Sequence, residues 1–354
     1  MDELRLNPVY YSPEHLALRE TVRRFVAREI EPHVAAWDEA GSFPRDLYRQ
    51  AAEVGLLGLG FPEQYGGTPG VDYFHRLVAG LELAQAGSGG LVASLMSHTI
   101  GTPPVVTFGS EALKARVLPQ VLAGERIAAL AITEPSGGSD VAALRTTAVR
   151  DGEHYVVNGE KTFITSGMRA DFITVAVRTD PAAKGAAGLS LLLVEGDTPG
   201  LTRTPLAKMG WWMSDTAHLL FDGCRVPAAN LLGPEGAGFL AVMQNFNAER
   251  FSMATGAIGF AWVCYQEALA WARERRTFGK RLADHQVVRH RLVDMLARIE
   301  ASRAMLEEIA WRLEHSKPGD PQLIASICML KNVATRTMQF CADAAVQTLG
   351  GMGY

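Results

Sequence analysis

The decapeptide NFNAERFSMA, Asn245 to Ala254, places an acid directly before a base inside a long apolar helical pattern. A carboxylate in such surroundings has the chemistry of a general base, because loss of water raises its proton affinity. At about 100° per residue, Glu249 shares a face with Val242, Phe246, Met253, Gly256 and Phe260, so the spacing predicts a core-directed side chain. The positions three and four residues away, Asn245, Phe246, Ser252 and Met253, carry no cation. Those around Arg250, namely Phe246, Asn247, Met253 and Ala254, carry no carboxylate. Both charges are expected to find partners in tertiary structure, in a ligand or in water. An ordinary tertiary ion pair or a solvated edge accounts for them as well as catalysis does.

A second chemistry is written in AITEPSGGSD, Ala131 to Asp140. Its hydroxyls and glycine-exposed amides suit hydrogen bonding to a flat heterocycle or a phosphate, although a plain Ser/Gly turn has the same composition. Neither G-x-G-x-x-G after a strand nor G-x-x-x-x-G-K-[ST] occurs, so any cofactor is held outside the Rossmann and P-loop designs. Taken alone, Phe163 and Thr165 read as a buried strand pair, RRTFGK as a solvated helix end and the glycines of QTLGG as a helix cap. Cys224, Cys264, Cys328 and Cys341 show no metal or redox spacing, so reduced thiols and no metal are expected. His98 reads as a packed or loop histidine.

These residues need elements to hold them. A Ser12 cap with Pro13 in the first turn starts a helix at SPEHLALRETVRRFVAREI, and helical patterns continue to about Gly124. From about Ile127 the period changes, and IAALAIT, EHYVVNG, EKTFIT, DFITVAVRT and LSLLLVEG read as short strands of a compact antiparallel domain. Three long helical patterns follow, over about 236–276, 284–316 and 320–350, with Pro318 and Pro321 marking the last break. Helices, then strands, then helices predict segregated α and β domains. Long antiparallel helices commonly close as a bundle of four, so three patterns ending at LGGMGY leave a bundle of three, a fourth helix from elsewhere in the chain or, as the favoured expectation, an absent terminal segment.

Composition bounds the rest. The chain of 354 residues is 48% hydrophobic and 20% charged, as in ordinary globular proteins. Its 34 basic against 38 acidic side chains give a net charge of −4, which supplies no drive toward nucleic acid. The N-terminus lacks an apolar signal core and is too acidic for a transit peptide, and no apolar run spans a bilayer; a cytoplasmic protein with no membrane partner is expected.

AITEPSGGSD, followed by NGEKTFITSG and then ARERRTFGKRLADHQ, resembles the acyl-CoA dehydrogenase family in content, order and spacing. GWWMSDTAHLLFDGCRVPAANLLG and QTLGGMGY extend the resemblance over nearly the whole chain. It implies an α+β multidomain fold: an N-terminal helical domain over 1–125, a central antiparallel β domain over 126–234 and a C-terminal helical bundle over 235–354. It also implies bound FAD and a homotetramer or homodimer.

By position, Thr133 and Ser139 resemble residues flanking flavin and thioester, and Phe163 and Thr165 those beside the isoalloxazine. Many relatives carry Trp at the Phe163 position, so stacking is kept and an indole donor lost. Arg275 and Phe278, with Gln347 and Gly351, resemble contacts to the FAD of a neighbouring subunit. The implied reaction is α,β-dehydrogenation of an acyl-CoA thioester, with an electron-transfer flavoprotein or another acceptor as electron partner. Family members carry the base either on a loop after the QTLGG-like segment or, in isovaleryl-CoA and long-chain members, on the helix before an NAER-like Arg. Glu249 stands in the second position. Phe246, Asn247 and Arg250, with Ser139, resemble substrate contacts, and the segments Ser94 to Gly101 and Met253 to Ala257 the acyl pocket. An oxygen-using oxidase or monooxygenase of the same fold, and a nucleic-acid-binding relative, are the alternative readings.

Overall fold

The computed structural model describes residues 4–183, 185–317 and 319–354. Before the sheet come helices α1 (Pro13–Phe25), α2 (Val34–Ala40), α3 (Asp46–Glu53), α4 (Tyr73–Leu83), α5 (Gly89–Leu95), α6 (His98–Gly101), α7 (Pro103–Phe108) and α8 (Glu111–Leu122). After it come α9 (Gly238–Glu274), α10 (Gln286–His315) and α11 (Pro321–Leu349). The helical ends, the sheet between them and their order are those of the expected fold class. Ser12 caps α1 with Pro13 in its first turn, and Asp320 caps α11 with Pro321. Pro318, the other expected break, lies outside the described residues.

By contact the chain forms two compact units. One comprises the described residues of Met1–Glu31, Val71–Gly87 and Asn247–Tyr354; the other comprises Pro32–Gly70 and Ser88–Phe246. In the first, Leu77 and Leu81 of α4 share a core with Phe251, Ile258 and Trp262 of α9, Met295 and Ile309 of α10, and Ile327 and Leu330 of α11. Glu82 of α4 is buried and takes the Arg19 Nε–H of α1 at 2.5 Å. No described helix is long and apolar enough to cross a membrane.

The second unit is built on strands β1 (Ala128–Ala131), β2 (Thr147–Asp151), β3 (His154–Ile164), β4 (Phe172–Arg178), β5 (Leu189–Glu195), β6 (Leu201–Pro205), β7 (Ala217–Pro227) and β8 (Leu231–Leu232). Their order is β6-β7-β3-β2-β4-β5-β8, with β1 added beside β4. The sheet is antiparallel except where β4 runs parallel to β1 and meets β2 at Thr147 and Arg178. The two runs EHYVVNG and EKTFIT, separate in the sequence reading, form the single strand β3. Asn158 and Gly159 do not end it, because a register shift against β7 absorbs them as a bulge.

Candidate active site

Four of the expected flavin residues, Thr133, Ser139, Phe163 and Thr165, lie where β1 and β3 end. Thr162 N–H donates to Thr133 O at 2.8 Å, which sets Thr133 beside Phe163 in the chain of β3. The turn after Thr133 is closed by reciprocal bonds, Glu134 N–H to Gly137 O at 3.1 Å and Gly137 N–H to Glu134 O at 3.0 Å. That closure leaves Gly137, Gly138 and Ser139 exposed, while Thr133 and Thr165 are half-buried.

Phe163 is not part of a buried pair. It is 70% exposed, at φ +60°, inside the second register shift of β3. Among the described residues the non-glycine positions with positive φ are Phe163, Ser166, Trp211 and Phe278. For a bulky residue this conformation is a true outlier, held only where the surroundings impose it and concentrated at ligand sites. Ser166, at φ +59° and buried, is fixed by Oγ–H donation to Ser94 O at 3.3 Å. A network of Ser94, Ser214, Asp215 and Arg169 surrounds that anchor.

Phe278 shows the same oddity in the first unit. Strands β9 (Arg276–Thr277) and β10 (Lys280–Arg281) form a hairpin just past α9, so RRTFGK is not a helix end. Its tip is Phe278 at φ +50° and Gly279 at φ +81°, a turn that ordinarily selects Asn-Gly. The Phe278 ring is 97% exposed. Arg275, Gln347 and Gly351 are exposed as well. Gly350 stands at the C-cap of α11 with φ +64° and ψ −130°, a backbone region that favours glycine, whereas Gly351 has no positive φ, so the helix end explains the first glycine and not the second.

The expectation that Glu249 lies on a core-directed face is met at the start of α9, where Val242 and Phe246 pack in the core of the second unit, and not beyond it. The packed stripe of α9 in the first unit is Phe251, Ala254, Ile258, Ala261, Trp262, Tyr265, Ala268 and Ala272, roughly opposite Glu249 on the helix. Of its own face only Val242 is buried; Phe246, Gly256 and Phe260 are half-buried and Met253 is 54% exposed. Both faces are apolar, so periodicity alone does not say which one packs. Burial nevertheless raises the Glu249 carboxyl to about 7, against a weaker downward pull from Arg250. Arg250 is oriented by donation of Nη1–H to Asn247 Oδ1 at 3.0 Å. The site side therefore offers a half-buried acid that exchanges its proton near neutrality, with a fixed guanidinium next to it in sequence.

His98 is a packed histidine, as expected. His98 is buried, donates Nε2–H to Leu57 O at 3.0 Å and is lowered to about 4 by burial, which makes it a neutral packing residue. One group of metal-type ligand atoms occurs among the described residues, His15, Asp72 and His75. The caps of two helices already engage it: Ser12 N–H donates to His15 Nδ1 at 2.9 Å, and His15 Nε2 lies 3.0 Å from Asp72 Oδ1.

Sequence reasoning missed the ion pair beneath the flavin motifs. Lys161 is wholly buried and donates to Ile132 O at 3.0 Å and Glu134 Oε1 at 2.9 Å. The signal was present as the acid of TEP and the base of EKT, each read only for its hydroxyl and aromatic neighbours.

Comparison with known proteins agrees with this arrangement. The chain matches "Acyl-CoA dehydrogenase, N-terminal domain" over residues 12–125, "middle domain" over 129–224 and "C-terminal domain" over 236–354. It is 36% identical to the long-chain specific acyl-CoA dehydrogenase of Sus scrofa mitochondria, covering 97% of this chain and 79% of that protein. A crystal structure of a probable acyl-CoA dehydrogenase from Mycobacterium abscessus superposes with a TM-score of 0.93 at 45% identity, covering 98% of this chain and 90% of the other. A Bacillus anthracis acyl-CoA dehydrogenase complexed with FAD superposes with a TM-score of 0.88 at 29% identity, covering 99% and 63% respectively. Three family domains matched in order, with relatives alike over nearly the entire chain, establish that this protein belongs to the acyl-CoA dehydrogenase family and is an oxidoreductase acting on CH–CH bonds.

Proposed function

We propose that the protein carries out FAD-dependent α,β-dehydrogenation of an acyl-CoA thioester, with Glu249 as the base that takes the α-proton. The observation that carries this reading is a half-buried carboxyl raised to about 7 on the face of α9 opposite its packed stripe in the first unit. An acid so placed is about half ionised at neutral pH and gains the carboxylate form as pH rises, and its proton affinity grows further when an acyl chain excludes water. Arg250, held by Asn247, is suited to the negatively charged CoA moiety. Phe246 and Ser139 complete the proposed substrate contacts.

The residues where β1 and β3 end fit a flavin. An exposed aromatic ring held at a left-handed φ offers a stacking face, and the turn at Gly137 to Ser139 offers amides and hydroxyls for a flat polar heterocycle. Thr133, Ser139, Phe163 and Thr165 would hold FAD in its own subunit, and Arg275, Phe278, Gln347 and Gly351 would reach it from a neighbour. FAD, when bound, supplies the acceptor for the β-hydride. An electron-transfer flavoprotein or another acceptor would then take the electrons.

Purified protein is expected to be yellow and to release stoichiometric FAD on denaturation. A protein that stays colourless after incubation with excess FAD would remove the basis of the reading. Because the base is helix-borne, as in isovaleryl-CoA and long-chain family members, longer or branched thioesters are the expected substrates. A panel of acyl-CoA thioesters assayed with an artificial acceptor checks this, and a clear preference for butyryl-CoA by kcat/KM contradicts it.

A further inference from the structure

We propose that the buried Lys161–Glu134 pair is a positioning device that holds the Thr133–Ser139 turn and the Phe163–Thr165 loop in mutual register for the flavin. The proposal rests on the flavin reading above. Burying two charges is costly, and apolar residues of the same volume commonly give equal or greater stability, so a pair with no solvent access calls for a reason other than stability.

Its bonds supply one. Glu134 adjoins Thr133, and Lys161 precedes Phe163 by two residues. The Lys161 ammonium spans from Ile132 O to Glu134 Oε1, so a side chain of β3 grips both the end of β1 and the turn that follows it. The carboxylate also accepts Arg145 N–H at 2.8 Å and Thr146 N–H at 2.9 Å, which fixes the approach to β2 at the same point. Burial opposes ionisation of Glu134, but the Lys161 ammonium and these amide donors outweigh it and hold the carboxyl below its usual range.

The location matters as much as the bonds. Between Lys161 and Ile164 the strand loses its register with β7, so the ladder does not fix Thr162 and Phe163 on that side. Their remaining tie is to the first motif, through Thr162 N–H to Thr133 O at 2.8 Å and the ion pair next to it. Neither charged group reaches the exposed edge where Phe163 and Ser139 stand. The pair therefore acts through those residues, as a positioning pair.

The test compares wild type with the double variant Lys161→Met, Glu134→Gln, in the full chain. Either single change that leaves one charge buried is expected to lower Tm sharply, whereas the double variant leaves none and keeps the volume. It is expected to unfold close to the wild-type Tm, to bind FAD roughly 10- to 100-fold more weakly, as loss of one charge-assisted hydrogen bond does, and to perturb the visible flavin spectrum. Amide hydrogen exchange in the flavin-free chain should quicken at residues 133–140 and 162–167 and stay unchanged in β4 and β5. Should the double variant not fold, Lys161→Leu with Glu134→Gln, which likewise leaves no charge buried and keeps a carbonyl acceptor for the Arg145 and Thr146 amides, carries the same comparison. Wild-type FAD affinity and unaltered exchange in these two loops overturn the assignment while leaving the flavin reading standing. A wild-type chain that binds no FAD overturns both.

Discussion

Glu249→Gln is expected to retain FAD and bind acyl-CoA, yet to lose several powers of ten in turnover, beyond the ~10²–10⁴ typical of an acid–base group. Gln keeps the shape of the side chain and removes its basicity. The excess is expected because a weakly acidic carbon acid has no other acceptor for its proton in the proposed mechanism. Uptake of solvent deuterium at the α-carbon of a bound thioester reports the same step without an electron acceptor and should fall in parallel.

The pH profile gives a second signature of the same residue. Glu249 works as the carboxylate, and burial places its carboxyl at about 7, so kcat/KM should rise as pH increases through 7 and level off above it. In Glu249→Gln that rising limb should vanish from the residual activity. Near-normal turnover in the variant, or an unchanged limb, would make Glu249 a structural acid.

Arg275→Ala is expected to weaken FAD binding by roughly 10- to 100-fold, the worth of a charge-assisted hydrogen bond to a phosphate. The motivation is an exposed guanidinium at the base of a hairpin whose tip presents an exposed Phe278 in a strained turn. Folding of the single chain should be nearly unaffected, since exposed substitutions usually fall within about 0.5 kcal/mol. If the flavin is shared between subunits, removing it should also loosen the oligomer, and light scattering with and without FAD measures that coupling. Unaltered affinity and unaltered mass in the variant would remove the hairpin from the cofactor site.

Much of the fold was legible because local chemistry specified it. Ser12, Pro13 and Pro321 mark helix starts whose caps the structure contains, and the expected spans of the three long helices agree with α9, α10 and α11 to within a turn. Strands β4 and β5 were readable as continuous apolar runs, being buried on both faces. Strand β7 was not, because Asp222 and Gly223 stand in its middle, a pair that usually signals a turn.

The site was legible in its residue types but not in its orientation. Met253 and Phe260 are the bulky members of one face of α9 within the first unit, yet there the opposite face packs, largely through alanines that allow close approach. Nor does a sequence show φ, so nothing in TFITS or RTFGK announced that each phenylalanine sits where glycine or asparagine would be easier.

The discontinuity of the first unit bears on how the chain is made on a ribosome. Leu77 and Leu81 of α4 emerge early, but the α9, α10 and α11 side chains that cover them begin about 160 residues after Gly87. At the ~5–20 residues per second of translation, those apolar faces wait on the order of ten to thirty seconds for their partners. The residues of the sheet-bearing unit are meanwhile all synthesised once Phe246 is made. The nascent chain thus carries a finished half and an unsatisfied one, and chaperone holdases that recognise exposed leucine-rich helices should engage it in that interval.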